Sequence, residues 1–184
     1  MTELALHILD IAKNSTRAMA KNVTINVFVS TTENSLVIEI ADDGTGMSEE
    51  LLTRVTDPFS TTRKTRKVGL GIPLFKQSSE LCGGEFSIKS QLGVGTVTRA
   101  TYVLDHLDRV PMGDLAGSIA VLIGGSPEVD FTLDYRVDDR QYVFETAQVR
   151  EIMEGVPLDE PEVLSYLQDM MAENIENING GIII

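Results

Sequence analysis

The chain has 184 residues, a formal charge of −13 at pH 7 and 42% hydrophobic residues. That is enough for one ordinary domain with a core, or for one domain and a small appendage, and so acidic a chain excludes nucleic acid and anionic membranes as general partners. No apolar run approaches the ~20 residues of a bilayer span, no basic-then-apolar leader is visible, and Cys82 is the single cysteine, so no membrane and no internal disulfide are expected and the expected compartment is the cytoplasm.

Residues 3–20 read as a helix, with Leu4, Ile8, Ile11, Ser15 and Met19 at helical spacing as its buried stripe. Residues 23–30 alternate, with Val23, Ile25, Val27 and Val29 on one side, and predict a half-buried strand. A turn at 32–35 leads to a second strand with Leu36, Ile38 and Ile40 facing inward, so the two predict a hairpin. The strand stops at Asp42-Asp43-Gly44-Thr45-Gly46, and Ser48 suits the N-cap of a short helix to about Val55. Gly69 and Gly71 open a helix that tolerates Pro73 in its first turn and ends at Cys82 before Gly83. Residues 85–91 and 96–104 predict two more strands around Gly93 and Gly95. This order predicts an α+β fold, a two-layer sandwich of helices on a mainly antiparallel sheet, over 1–104.

Residues 105–117, with Pro111, Gly113 and Gly117, read as a linker. Residues 118–184 read as a small C-terminal α+β appendage: strands at 118–123, 129–136 and 141–145, then a helix at 146–154 stopped by Gly155. The final helix has an acidic start around Pro161 and an apolar stripe through Val163, Leu167, Met171 and Ile175. That stripe either packs on its own strands or forms a dimer or partner surface.

Four clusters carry chemistry. His7, Asp10, Asn14 and Arg17 are spaced by three, four and three residues and share a helix face. There an asparagine oxygen can ligate Mg²⁺ and an arginine can reach a phosphate; alone, the face reads as ordinary solvated surface. Asp42 to Met47 puts a carboxylate, which can accept from an exocyclic amine, beside glycines that let a flat base approach the backbone; alone, it reads as a turn. The third cluster runs from Asp57-Pro58-Phe59-Ser60-Thr61-Thr62 through the basic island 63–67 to Gly69-Leu70-Gly71, whose glycines free N–H groups for an anion before a helix. The fourth, Gly93-Val94-Gly95-Thr96, alone is a hairpin turn.

Taken in order, Asn14 to Ala18, Asp42-x-Gly44-x-Gly46, Asp57 to Thr62, Gly69-Leu70-Gly71 and Gly93 to Thr96 resemble the N, first-glycine, F, second-glycine and third-glycine boxes of the GHKL superfamily (histidine kinase-like ATPases, the Bergerat fold). The stretch from Asp57 to Thr96 is most similar to sensor histidine kinases. The resemblance covers residues 3 to about 104 and implies binding of ATP with Mg²⁺. It implies that Asn14 coordinates Mg²⁺, that Arg17 contacts phosphate, that Asp42 binds the adenine amino group with Gly44, Gly46 and Met47 around the base, and that Thr96 supports adenine recognition. It further implies that Phe59, Thr61, Thr62 and Lys64 belong to the lid over the nucleotide, and that Gly69, Leu70 and Gly71 offer N–H groups to the phosphates.

Two departures shape the functional expectation. Thirteen residues precede Asn14, so no phosphoacceptor hairpin is expected ahead of the ATPase domain and autophosphorylation on His7 or His106 is not expected. Gyrase and MutL relatives carry a glutamate general base four residues before the box asparagine, where histidine kinases usually carry asparagine; this chain has Asp10, shorter by about 1.5 Å. Asp10 is therefore the candidate general base, and His7 either orients it or is a surface histidine. The leading expectation is a Mg-ATP-binding regulatory protein, a slow ATPase that switches a protein partner, with ATP/ADP as ligands and a homodimer allowed. The alternatives are a kinase acting in trans on a partner, of anti-sigma serine kinase type or histidine kinase-like, and a non-catalytic nucleotide sensor.

Overall fold

Alternation along the strands decides which face of the sheet is buried. The computed structural model describes residues 2–55 and 70–184. In β1 (Asn22–Ser30) Val23, Ile25, Val27 and Val29 are buried, and in β2 (Ser35–Asp42) Leu36, Ile38 and Ile40 repeat the pattern. The two form an antiparallel hairpin with Val27 opposite Ile38. Its turn uses Asn34 at φ 51, a conformation asparagine tolerates better than most residues. A second hairpin joins β3 (Phe86–Gln91) to β4 (Gly95–Val103), and β4 pairs with β2. β5 (Asp130–Val137) pairs with β1 in parallel and with β6 (Arg140–Glu145) antiparallel. The result is a six-stranded sheet in the order β3-β4-β2-β1-β5-β6, mainly antiparallel as expected, which the two C-terminal strands extend.

The described helices are α1 (Leu4–Arg17), α2 (Glu49–Val55), α3 (Gly71–Leu81), α4 (Leu115–Gly125), α5 (Thr146–Ile152) and α6 (Pro161–Asn179). α1 packs on β1 and β2, α3 on β3 and β4, α6 on β5 and β6, and α4 lies between α1 and α6. The opposite face of the sheet carries polar contacts: Glu39 accepts from Asn26 at 3.3 Å and meets Arg99 at 3.4 Å, and the Arg136 guanidinium lies 5.1 Å from the Phe28 ring centre. The two-layer α+β architecture therefore follows from one apolar and one solvated sheet face. No helix among the described residues is long and apolar enough to cross a membrane.

Residues 118–123 are helix, not strand: they lie inside α4. A short apolar run has no period of its own to declare. Here the Asp114 carboxylate accepts from Gly117 N–H at 2.7 Å and caps a helix that is buried nearly all round. Met19 is a second correction. The helix ends at Arg17, Ala20 N–H bonds back to Ser15, and Met19 takes φ 61 with 74% of its surface exposed. A left-handed residue at a helix end is the usual terminating geometry, and it swings Met19 off the buried stripe.

The segment 105–117 is tied to α1 rather than free of it. Leu4 N–H donates to the Pro111 carbonyl at 2.9 Å and Ala5 N–H to the Met112 carbonyl at 2.8 Å, which satisfies two of the N–H groups a helix start leaves without an internal partner. Met112 is buried, and its own N–H donates to the Ile184 carbonyl at 2.8 Å.

Candidate functional site

Sheet register brings three distant motifs into line. Asp42 ends β2 opposite Thr96 on β4, and Thr96 stands opposite Ser90 on β3. α1 crosses this end of the sheet, and the Ser15 hydroxyl donates to Asp42 Oδ2 at 2.6 Å while Gly44 N–H donates to Oδ1 at 2.9 Å. Each carboxylate oxygen is held by one donor and keeps acceptor capacity. The neighbouring Asp43 does different work: it accepts from Lys21 N–H at 2.7 Å, Asn22 N–H at 2.9 Å and the Asn22 amide at 2.7 Å, clipping the start of β1. Desolvation opposes its charge, but these donated bonds outweigh it and hold its pKa below the ordinary value.

A second chain of bonds shapes the other wall. Met47 N–H donates to Ser90 Oγ at 2.8 Å, and Ser90 donates to the Gly95 carbonyl at 3.0 Å. With its proton so used, Ser90 accepts from the Thr96 hydroxyl at 2.8 Å. Two glycines make the close approach feasible. Gly46 has φ 64 and Gly95 has φ 138, and a Cβ on either would overlap a carbonyl, of Gln91 and of Asp42 respectively.

The cleft measures about 180 Å³ and its described lining includes Asn14, Arg17, Asp42, Gly46, Met47 and Thr96, with Ile11, Val55, Ile72 and Ile88 as apolar walls. Six of the residues singled out in the sequence thus meet in one place. Asn14 Oδ1 faces an Arg17 guanidinium nitrogen at 3.4 Å. Gly44 is buried behind Asp42, and Leu70 is 61% exposed at the start of α3. Phe59, Thr61, Thr62, Lys64 and Gly69, with the basic island, lie outside the described residues; Val55 and Ile72 on either side of that stretch both line the cavity.

Asp10 does not line the cavity. It is exposed and lies against the first turn of α3, where a Cβ on Gly71 would meet Asp10 Cβ at 3.2 Å and Oδ2 at 3.5 Å. No side chain among the described residues caps that end of α3, and Pro73 has no N–H to offer. His7 is neither a surface histidine nor hydrogen-bonded to Asp10. It is 3% exposed, its ring stacks on Phe75 with centroids 5.6 Å apart, and its Nδ1 has no partner among the described residues. Burial holds its pKa down to about 4.

Sequence reasoning missed Ser15 and Ser90 as the residues that fix this site. For Ser15 the signal was a hydroxyl on an apolar helical stripe, which must find an acceptor when buried. For Ser90 it was the alternation Phe86, Ile88, Ser90, which turns the serine to the helix-covered face. Among the described residues no group of three or more His, Cys, Asp or Glu is placed to hold a metal.

The family model described as histidine kinase-, DNA gyrase B-, and HSP90-like ATPase matches residues 2–106. Sporulation kinase C of Bacillus subtilis (strain 168) is 34% identical over 89 residues, which is 48% of this chain and 21% of that protein. Sporulation kinase E of the same organism is 34% identical over 94 residues, 50% of this chain and 13% of that one. The chain thus spans only about a fifth or less of the length of these relatives. The MutL ATPase domain of Aquifex aeolicus, solved in complex with ADP, shares the fold at a TM-score of 0.56 and 16% identity, covering 84% of this chain and 70% of that one. That coverage is more than residues 2–106 alone could supply. With the match across more than half its length, the chain belongs to the family of histidine kinase-, DNA gyrase B- and HSP90-like ATPases.

Proposed function

We propose that the chain binds Mg-ATP in the cavity between α1, β2 and β4 and works as a slow ATPase whose nucleotide state switches its association with a protein partner. The observation that carries the nucleotide assignment is Asp42, a carboxylate oriented by Ser15 and Gly44 at the end of a cavity with apolar walls. An adenine amino group donates where such a carboxylate accepts, whereas guanine presents a carbonyl in the corresponding place. The glycines at 46 and 95 leave the backbone open to a flat base. The ADP in the MutL structure supports the same reading.

Asn14 Oδ1 suits one ligand of a Mg²⁺ ion that takes its other oxygens from phosphates and water, which accords with the lack of a dedicated carboxylate cage among the described residues. Bound there, Mg²⁺ would supply positive charge that offsets the phosphates. The Gly71 turn, with Asp10 beside it, provides N–H groups for the phosphate end. Asp10 is then the general base for water, and this favours hydrolysis over transfer. A second reading, phosphotransfer in trans to a partner hydroxyl or imidazole, is favoured by the likeness to the sporulation kinases.

Thermal melts with each nucleotide at one common concentration, 100 times the dissociation constant of Mg-ATP, test the assignment. Mg-ATP should add about 2.7 kcal/mol, a rise of roughly 5–11 °C for a chain of this size. Mg-GTP should add much less, and Asp42→Asn should abolish the preference. No shift with any adenine nucleotide would sink the assignment, and equal shifts with GTP would remove Asp42 from base recognition.

A further inference from the structure

The sheet ends on two edge strands, β3 and β6, and they are guarded differently. An unpaired edge exposes a row of N–H and C=O groups, and a lysine along the strand is a common protection. β3 carries one, the exposed Lys89. β6 reads Arg140-Gln141-Tyr142-Val143-Phe144-Glu145, with no charge between its two ends and three consecutive residues of high strand propensity.

The hydrogen bonds of β5 decide which backbone groups of β6 point outward. Asp130 N–H donates to the Lys21 carbonyl and Asp138 N–H to the Val29 carbonyl, both at 2.8 Å, so the even-numbered residues of β5 turn toward β1. The odd-numbered ones turn toward β6, and Phe131 N–H accordingly donates to Thr146 Oγ1 at 2.9 Å. Leu133, Tyr135 and Val137 stand opposite Phe144, Tyr142 and Arg140, so those three β6 residues direct their backbone groups at β5. Gln141, Val143 and Glu145 direct theirs away from the sheet, and their N–H groups have no partner among the described residues. The edge is uncovered there. α6 lies on the helix-bearing face, and α5 turns back to the start of β5, where Arg150 donates to the carbonyls of Pro127 at 2.6 Å and Val129 at 2.8 Å. Val143 is 46% exposed.

A second copy of the chain fits this edge. A half-turn about an axis normal to the sheet keeps the helices of both copies on one face and sets the two β6 strands antiparallel. One register engages all three outward positions: Val143 faces Val143 of the second copy, and Gln141 faces its Glu145 on either side of the axis. The side chains suit that register. An apolar pair meets on the axis, and Gln141, whose amide gives one hydrogen to Asp134 at 3.0 Å, keeps another for the carboxylate opposite. On the helix-bearing face Tyr142 stands beside Phe144 of the second copy, an aromatic cross-strand pair. A slip that set Gln141 against Val143 would instead bring Asp139 against Glu145, two like charges. We propose that β6 is a self-association edge through which two copies of the chain join into one continuous sheet. The edge lies outside residues 2–106, so it belongs to the C-terminal segment and not to the matched ATPase region.

Sedimentation equilibrium of the intact chain in about 0.3 M salt, which screens the repulsion between two chains of charge −13, tests this. A single strand pair lies at the small, transient end of interfaces. The mass should therefore rise from 20.1 kDa toward twice that value with a dissociation constant on the order of 10–100 μM. Val143→Lys and Val143→Glu each bring like charges together on the axis and should each weaken association by roughly tenfold or more. The position is exposed and its N–H is not used by β5, so both variants should melt like the parent. Mixed in equal amounts they should associate again, because opposite charges then meet on the axis. Amide exchange at Val143 should slow as the parent is concentrated, and should not in Val143→Lys. A chain still monomeric at about 1 mM, a dimer that survives Val143→Lys, or variants that fail to associate on mixing would each overturn the proposal.

Discussion

Acidification should destabilise the fold through His7 before any carboxylate contributes much. The folded pKa is about 4, held down chiefly by desolvation, against about 6.5 for an exposed histidine. Between these values the unfolded chain binds a proton that the folded chain refuses, so stability falls as pH falls from 6.5 towards 4. The full gap of about 2.5 units corresponds to about 3.4 kcal/mol, and the part realised between pH 7 and pH 5 is about 2 kcal/mol. For a chain of this length that is roughly 4–8 °C in melting temperature. Asp43, Asp134 and Asp138, whose carboxyls are all held below their ordinary values, lose stability in the same direction but in a lower window, around and below pH 4. His7→Phe separates the two. It keeps a ring against Phe75, removes a buried nitrogen without a described partner, and should flatten the curve between pH 7 and 5 while leaving the steeper loss below pH 4. Denaturant melts at half-unit pH steps read this directly. A parent that loses no more stability than His7→Phe from pH 7 to 5 would refute the idea that a neutral imidazole is buried there.

Two further perturbations address the proposed nucleotide site. Gly46→Ala must both sustain φ 64 and displace the Gln91 carbonyl, so it should cost about 2–4 kcal/mol by urea melt and weaken ATP binding; Gly93→Ala, at φ 77 with open space around it, should cost only the left-handed strain of about 1–2 kcal/mol. Equal costs would mean that close approach at Gly46 is not what selects glycine. Asp10→Asn should leave Mg-ATP binding intact and lower turnover by roughly 10²–10⁴-fold, with Asp10→Glu restoring or raising it if reach is limiting; clear parent ATPase activity that survives Asp10→Asn would remove this residue from the chemistry.

Local pattern made the first hundred residues legible. Strict alternation identified β1 and β2, helical spacing identified α1, and a glycine after Cys82 fixed the end of α3. What stayed hidden depends on neighbours that are distant in sequence. The alternation of Leu36, Ile38 and Ile40 already puts Asp42 rather than Asp43 on the inward face, but it does not say what holds either carboxylate: Asn22 and Lys21 claim Asp43, and Ser15 claims Asp42. Burial of His7 follows from α3 laying Phe75 across it, which helical spacing on α1 alone cannot reveal. α4 was misread because residues buried on nearly every side carry no amphipathic period, whichever element they form.

The same long-range contacts show why the C-terminal segment belongs to the account of the site. α1 carries Asn14, Ser15 and Arg17, so anything that shifts α1 along its axis moves Ser15 relative to Asp42. Its first N–H groups are held by the carbonyls of Pro111 and Met112, and α4 packs along its flank. At 2.6 Å the Ser15–Asp42 bond has little slack, and a displacement of half an ångström would lengthen it past the favourable range for O–H···O contacts. The position of the Asp42 carboxylate is therefore set from two directions, by the sheet register that ends β2 and by the Pro111 and Met112 carbonyls that seat the far end of α1. A substitution at Met112 would reach the proposed nucleotide site without touching it, by releasing the helix on which half of that site is built.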